Sequence, residues 1–220
     1  MPKKRKVNKR DVRAVFHIIC EGEKTEPNYI DYYIKDYCRR HFGVQSYRIK
    51  LNKVFKIAKT NKTDPMSLVK EAIEAQCHSP HGDVFWCVYD REAENAISEK
   101  AHEKARTEAV CRGIKIALSS VCFEVWLLLH KQETCAHYMS YDDLAKRSRL
   151  KIHYKNYQKG DKIEPLDEEI DIARVRARKM NNISVSSHPA NVPCCRLNPY
   201  TDFYLLLDDI DAFLRECCVH

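Results

Sequence analysis

The residues of this sequence best suited to chemistry are two groups of acids. Glu21, Glu23 and Glu26 surround Lys24 in Ile-Ile-Cys-Glu-Gly-Glu-Lys-Thr-Glu-Pro-Asn-Tyr, residues 18–29, while Asp90 and Glu92 follow the apolar run 84–89. The central Gly-Glu-Lys-Thr invites comparison with a phosphate-binding loop. Such a loop needs a second glycine directly before the lysine, so that successive amides can wrap the phosphates. Glu23 stands in that place, and the extra carboxylates would repel phosphate, so the nucleotide loop is rejected. Carboxylates are instead hard oxygen ligands suited to Mg²⁺ or Mn²⁺. Such an ion neutralises a phosphodiester, acidifies bound water and, paired with a second ion, stabilises attacking and leaving oxygens. Each group alone has a plainer account: Glu23 and Glu26 suit a helix N-terminus, and Asp90-Arg91-Glu92 suits a solvated turn.

The elements around these acids decide between the two accounts. The run Ala14 to Cys20 is short, apolar and rich in branched residues, which predicts a strand buried on both faces and ending at Glu21-Gly22. Thr25 can cap a helix whose Tyr29, Ile30, Tyr33, Ile34, Tyr37 and Cys38 share one stripe. A strand is expected over 47–56, then a helix with Leu68, Val69, Ala72 and Ile73 inward, then a second fully apolar strand over 84–89 ending in Asp90. A helix over 95–112 leads through Gly113 to a strand at 114–118. Strand and helix alternate, so the expected fold class is α/β, with a central, mainly parallel sheet flanked by helices and a helical C-terminal extension. Open parallel sheets bind ligands at the carboxyl ends of their strands, where Glu21, Asp90 and Glu92 would meet in one crevice.

Further along, Cys122 to His130 is apolar nearly all round, predicting a buried helix. Glu124 is an acid inside that run and needs a partner or a metal. His130 lies six residues on, about 600° of helical rotation and roughly 120° out of alignment, where a helix C-terminus suits a structural histidine. Beyond it, helices are expected at 141–149 and 167–180, a loop over 181–199, and a helix from Thr201 to Cys217. Tyr154, Lys155, Tyr157 and Lys159, with Lys151 just before them, interleave aromatic and basic residues as a single-stranded nucleic-acid platform does. A solvated helix face with surface tyrosines has the same composition.

The net charge of +7 favours a polyanionic partner, although a basic tail on a balanced surface gives the same total. That tail exists: residues 1–11 concentrate lysine and arginine in a segment with nothing to pack, read as a phosphate-gripping arm or an import signal. Residues 12–220 read as one domain, with a core over 12–130 and an extension over 131–220. Eleven cysteines without a Cys-x-x-Cys pair, a signal peptide or a long apolar span are expected to be reduced thiols in a cytosol, with no membrane partner.

Several blocks together resemble the RloB-like family of prokaryotic defence loci: 19–29, Tyr89-Asp90-Arg91-Glu92, Ser119 to Trp126 with His130, and Asn198-Pro199-Tyr200-Thr201. The Glu-Gly after the first strand and the Asp-x-Glu after the third also resemble the Toprim domain of topoisomerases, primases and related nucleases. Ser120 departs from the family pattern, where asparagine is expected. The resemblance implies a Toprim-like fold and a cytoplasmic, metal-dependent nuclease of anti-phage defence or abortive infection, with an ATP-binding-cassette ATPase as controlling partner. It implies Glu21, Asp90 and Glu92 as catalytic metal ligands, Glu26 as a further ligand, and Lys24 at the scissile phosphate. Gly22, Glu23, Ser119, Glu124 and His130 would support the site, and Lys151, Tyr154, Lys155, Tyr157 and Lys159 would bind nucleic acid. The expected activity is Mg²⁺- or Mn²⁺-dependent cleavage of RNA, such as tRNA, or of DNA. The alternative is a catalytically silent module of such a system that binds nucleic acid or the ATPase. A homo-oligomer is compatible with either.

Overall fold

The computed structural model describes residues 14–42, 51–60, 62–93, 96–155 and 157–218. The basic arm, the start of the strand expected over 47–56, and Asn156 lie outside these residues. Five strands form one sheet in the order β2-β1-β3-β4-β5: β1 Phe16–Cys20, β2 Phe55–Lys59, β3 Val84–Asp90, β4 Lys115–Ser120 and β5 Tyr200–Thr201. The first four are mutually parallel, and β5 adds to β4 antiparallel. The α/β fold with a mainly parallel sheet is therefore as the sequence predicts.

The continuous apolar runs are explained by two covering layers. Phe16, Ile18 and Cys20 of β1 face one side and Ile19 the other, and β3 alternates in the same way through Trp86 and Val88 against Phe85, Cys87 and Tyr89. The first side is covered by α1 (Thr25–Tyr32), which continues through a π-helical turn (Tyr33–Tyr37) into α2 (Cys38–His41). The stacked rings of Tyr33 and Tyr37, 4.8 Å apart, mark that turn. After α3 (Leu51–Val54) the chain enters β2, so the strand expected over 47–56 begins at Phe55, later than its alternation suggests. The second side is covered by α4 (Pro65–Cys77) and α5 (Glu99–Cys111). Their starts are fixed by Asp64, which accepts from the Ser67 amide at 2.8 Å, and by Ser98, which accepts from the Ala101 amide at 3.3 Å.

The first crossover, through α1, covers one face of the sheet, whereas those through α4 and α5 cover the other. The strand order therefore reverses between β1 and β3, which leaves a crevice beyond their carboxyl ends.

The remaining elements are α6 (Glu124–Lys131), α7 (Tyr141–Arg147), α8 (Leu150–His153), α9 (Asp167–Ser186), a 3-10 turn (Cys194–Arg196) and α10 (Phe203–Cys218). The helix α6 is buried throughout its first seven residues and packs on α9. α9 runs six residues beyond its expected end into the stretch read as a loop. The polar side chains there are not solvated: Asn181 donates to the Thr201 carbonyl at 2.9 Å and accepts from the Thr201 amide at 3.1 Å, while Ser184 donates to the Pro199 carbonyl at 2.6 Å. Asn181→Ala removes both bonds and leaves buried backbone groups unpaired, which should cost about 1–3 kcal/mol in urea unfolding. A change within error would show that β5 is held by its neighbours alone.

Candidate active site

Glu21 and Asp90 meet at the crevice because their strands are neighbours in register. Cys20 lies opposite Val88, the Glu21 amide donates to the Val88 carbonyl at 2.9 Å, and the Asp90 amide donates to Glu21 Oε2 at 2.9 Å. Asp90 is buried, whereas Glu21 is partly open to the crevice. Gly22 lets the chain turn sharply inside this space, since a Cβ there would stand 2.9 Å from Glu26 Oε2. Glu26, in the first turn of α1, is thereby drawn inward and buried. Thr25 is not the cap the sequence suggests: it is already helical, Lys24 precedes it, and no side chain caps this end. Glu92 follows with a left-handed backbone, φ 57°, and its amide donates to the Val121 carbonyl at 2.8 Å.

A cleft of about 310 Å³ is lined by Glu21, Gly22, Glu23, Lys24, Thr25, Glu26, Thr63, Asp90, Glu92, Lys159 and Gly160. The acids expected at the site are thus gathered in one place, with Lys24 beside them. Two contributors were not placed here by sequence reasoning, Thr63 and the turn at Lys159-Gly160. Lys159 Nζ lies 3.8 Å from Asp90 Oδ2, so the C-terminal extension supplies a cation to the core. Glu124 is fully buried, with its Oε1 accepting from the Tyr157 hydroxyl at 2.9 Å and its Oε2 unpartnered among the described residues.

Neither the two tyrosines nor His130 takes the place the sequence suggests. Tyr157 is 3% exposed and spends its hydroxyl on Glu124, so its ring cannot stack on a base. Tyr154 also turns inward, donating to the Leu127 carbonyl at 3.0 Å, which leaves the lysines Lys151, Lys155 and Lys159 as the exposed members of that group. The expected aromatic platform fails because the tyrosines anchor the extension. His130 is buried between Tyr29 Oη at 2.9 Å and the Trp126 carbonyl at 3.0 Å, away from the cleft, and burial lowers it to about 4. Ser119 pairs with Thr201 Oγ1 at 2.9 Å, securing β5 to β4.

The acids repel one another. Burial raises Glu21 to about 7, with Glu92 and Glu26 adding to the rise and the Asp90 amide opposing it. Asp90 and Glu26 are also raised, first by burial and then by neighbouring carboxylates, against the pull of Lys159. Burial alone would depress Lys159, but Asp90 and Glu124 overturn that and hold it protonated.

Because the folded value of Glu21 lies above its ordinary 4.5, stability from this group is gained as pH falls through about 7 toward 4.5 and is lost as pH rises. In chelator, the melting temperature should therefore rise more between pH 8 and pH 6 for the native chain than for Glu21→Gln. Equal slopes would remove the assignment. The comparison cancels the opposite contribution of His102 and His130, both of which burial lowers.

The carboxylates lining the cleft are the hard oxygen ligands a divalent cation would use, and Glu124 Oε2 is a further buried oxygen with no partner among the described residues. Among the described residues, no three His, Cys, Asp or Glu side chains form a ready cage. An ion bound here would be held by one or two carboxylates and otherwise by water, as Mg²⁺ commonly is.

A family model described as RloB-like protein matches residues 16–210. The chain belongs to this family. The match spans every element from β1 into α10, including both acid groups and the turn that carries Lys159. No curated protein and no solved structure matched this RloB-like chain. Among its described residues no helix is long and apolar enough to cross a membrane.

Proposed function

We propose that this RloB-like protein is a metal-dependent nuclease that hydrolyses phosphodiester bonds of RNA, such as tRNA, or of DNA. The observation that carries the reading is the meeting of Glu21, Glu26 and Asp90 at the strand-order reversal between β1 and β3, in a cleft that also presents Lys24 and Lys159. Glu21 and Asp90 would hold Mg²⁺ or Mn²⁺, with Glu92 and Glu26 beside them. The bound ion would bring positive charge to the phosphate and acidify a water. The Asp90 amide fixes Glu21 Oε2 and leaves Oε1 for a ligand. Lys24, in no ion pair among the described residues, would meet charge developing on the phosphate oxygens. Lys151 and Lys155 would hold more distant phosphates. Anti-phage defence and control by an ATP-binding-cassette ATPase belong to the same proposal.

The test is incubation of purified protein with tRNA, single-stranded DNA and duplex DNA in Mg²⁺ or Mn²⁺, with and without the ATPase. Cleavage that chelator stops is expected, and no cleavage in any arm overturns the reading. The pairing of Asp90 with Lys159 favours one rival, a silent module whose acid site is permanently neutralised by its own lysine.

A further inference from the structure

The turn that brings Lys159 to the acids is built into the fold. Tyr157 is anchored on Glu124 beneath the cleft. The Tyr157 amide donates to the Tyr154 carbonyl at 3.0 Å, the Asp161 amide to the Gln158 carbonyl at 3.0 Å, and the Gln158 amide to Asp161 Oδ2 at 2.8 Å. Gly160 completes the turn at φ 102°, and a Cβ there would stand 3.0 Å from Lys24 Cδ, so the two lysine-bearing segments lie against each other. The Lys159 ammonium sits 5.7 Å from the centre of the Tyr141 ring and 3.8 Å from Asp90. Its side chain is 47% exposed while that of Asp90 is 6% exposed, so the lysine can leave toward solvent and the aspartate cannot.

We propose that Lys159 is a tethered counter-ion that occupies the cation position of the acid site, competes with a divalent ion for Asp90, and turns to a substrate phosphate when the ion takes that position. This inference rests on the metal-dependent reading above. A buried carboxylate without compensation is costly, and the ammonium 3.8 Å away offsets part of that cost in the ion-free protein. A monovalent ammonium on a flexible stem is readily displaced by a divalent ion that more than one carboxylate attracts. Release of the ammonium at that moment would place a positive charge in the cleft where the nucleic-acid backbone enters.

The test has two parts, both on the full chain. In chelator at pH 8, a double-mutant cycle of Lys159→Met and Asp90→Asn by urea unfolding should show favourable coupling between the two residues. Mn²⁺ titration followed by electron paramagnetic resonance should then show roughly five- to tenfold tighter binding to Lys159→Met than to the native chain. Lys159→Arg should remain near native, and Lys24→Met, which removes an equal charge from the same cleft, should change less than Lys159→Met. Absence of coupling overturns the proposal, as does coupling with unchanged or weaker Mn²⁺ binding in Lys159→Met. Equal tightening by Lys24→Met also overturns it, because general charge would then suffice. Coupling with no Mn²⁺ binding to any variant overturns both the competition and the metal-dependent reading, and leaves the silent module.

Discussion

Asp90→Asn is expected to lower metal-dependent cleavage by about a hundred- to a thousandfold or more, the scale on which losing a positioned charge-stabilising group acts. The substitution keeps the size of the side chain and leaves the backbone bond from residue 90 to Glu21 Oε2 in place. What disappears is the negative charge that burial and Glu26 already strain. Relief of that strain is opposed by loss of the partner of Lys159, so the melting temperature at pH 8 should change little. Single-turnover cleavage measured beside a melting curve separates loss of chemistry from loss of fold. A folded variant that cleaves like the native chain would move the reaction away from these strand ends.

The largest effect on stability is expected at Trp126. Its ring is fully buried at the centre of α6, at 6.3 Å from Tyr29, 5.1 Å from His130 and 5.4 Å from Phe203 between ring centres. These partners come from α1, α6 itself and α10, so one side chain joins the core of the fold to its extension. Trp126→Ala should cost about 3–5 kcal/mol, because the three helices cannot all close on the vacated space. That is a large share of the roughly 5–15 kcal/mol that holds a domain together. Urea unfolding followed by circular dichroism should show a lower midpoint with little change in slope. A loss below about 1 kcal/mol would mean that α6 does not wedge the helices apart, in contrast to the usual cost of removing a buried tryptophan. Cleavage should fall with the folded fraction, since α6 also carries Glu124 under the cleft.

The parts of the site readable in the sequence are those written in contiguous residues. An apolar run that stops at Glu21, and another that stops at Asp90, state both the strands and the acids at their ends, and the parallel register of β1 and β3 turns two separate signals into one crevice. Lys159 carries no such signal: its contact spans 69 positions in the chain, and its own neighbourhood reads equally as a surface platform. The same tyrosines that suggest base stacking become anchors once α6 offers them Glu124 and the Leu127 carbonyl. β5 is two residues long and has no periodicity to read, and the end of α9 resembles a loop because its buried polar groups serve that strand.

The bond pair between Asn181 and Thr201 has a consequence for the sheet as a whole. The amide and carbonyl of Thr201 that point away from β4 are those a sixth strand would use, and one side-chain amide meets both. Asn181 thus acts as a one-residue imitation strand that finishes the sheet on this side, where an open edge would offer a template for another chain. Growth of the sheet by strand addition is blocked beyond β5. Losing that amide would leave the edge unpaired as well as weaken the fold, so Asn181→Ala should self-associate more readily than the native chain as its concentration rises.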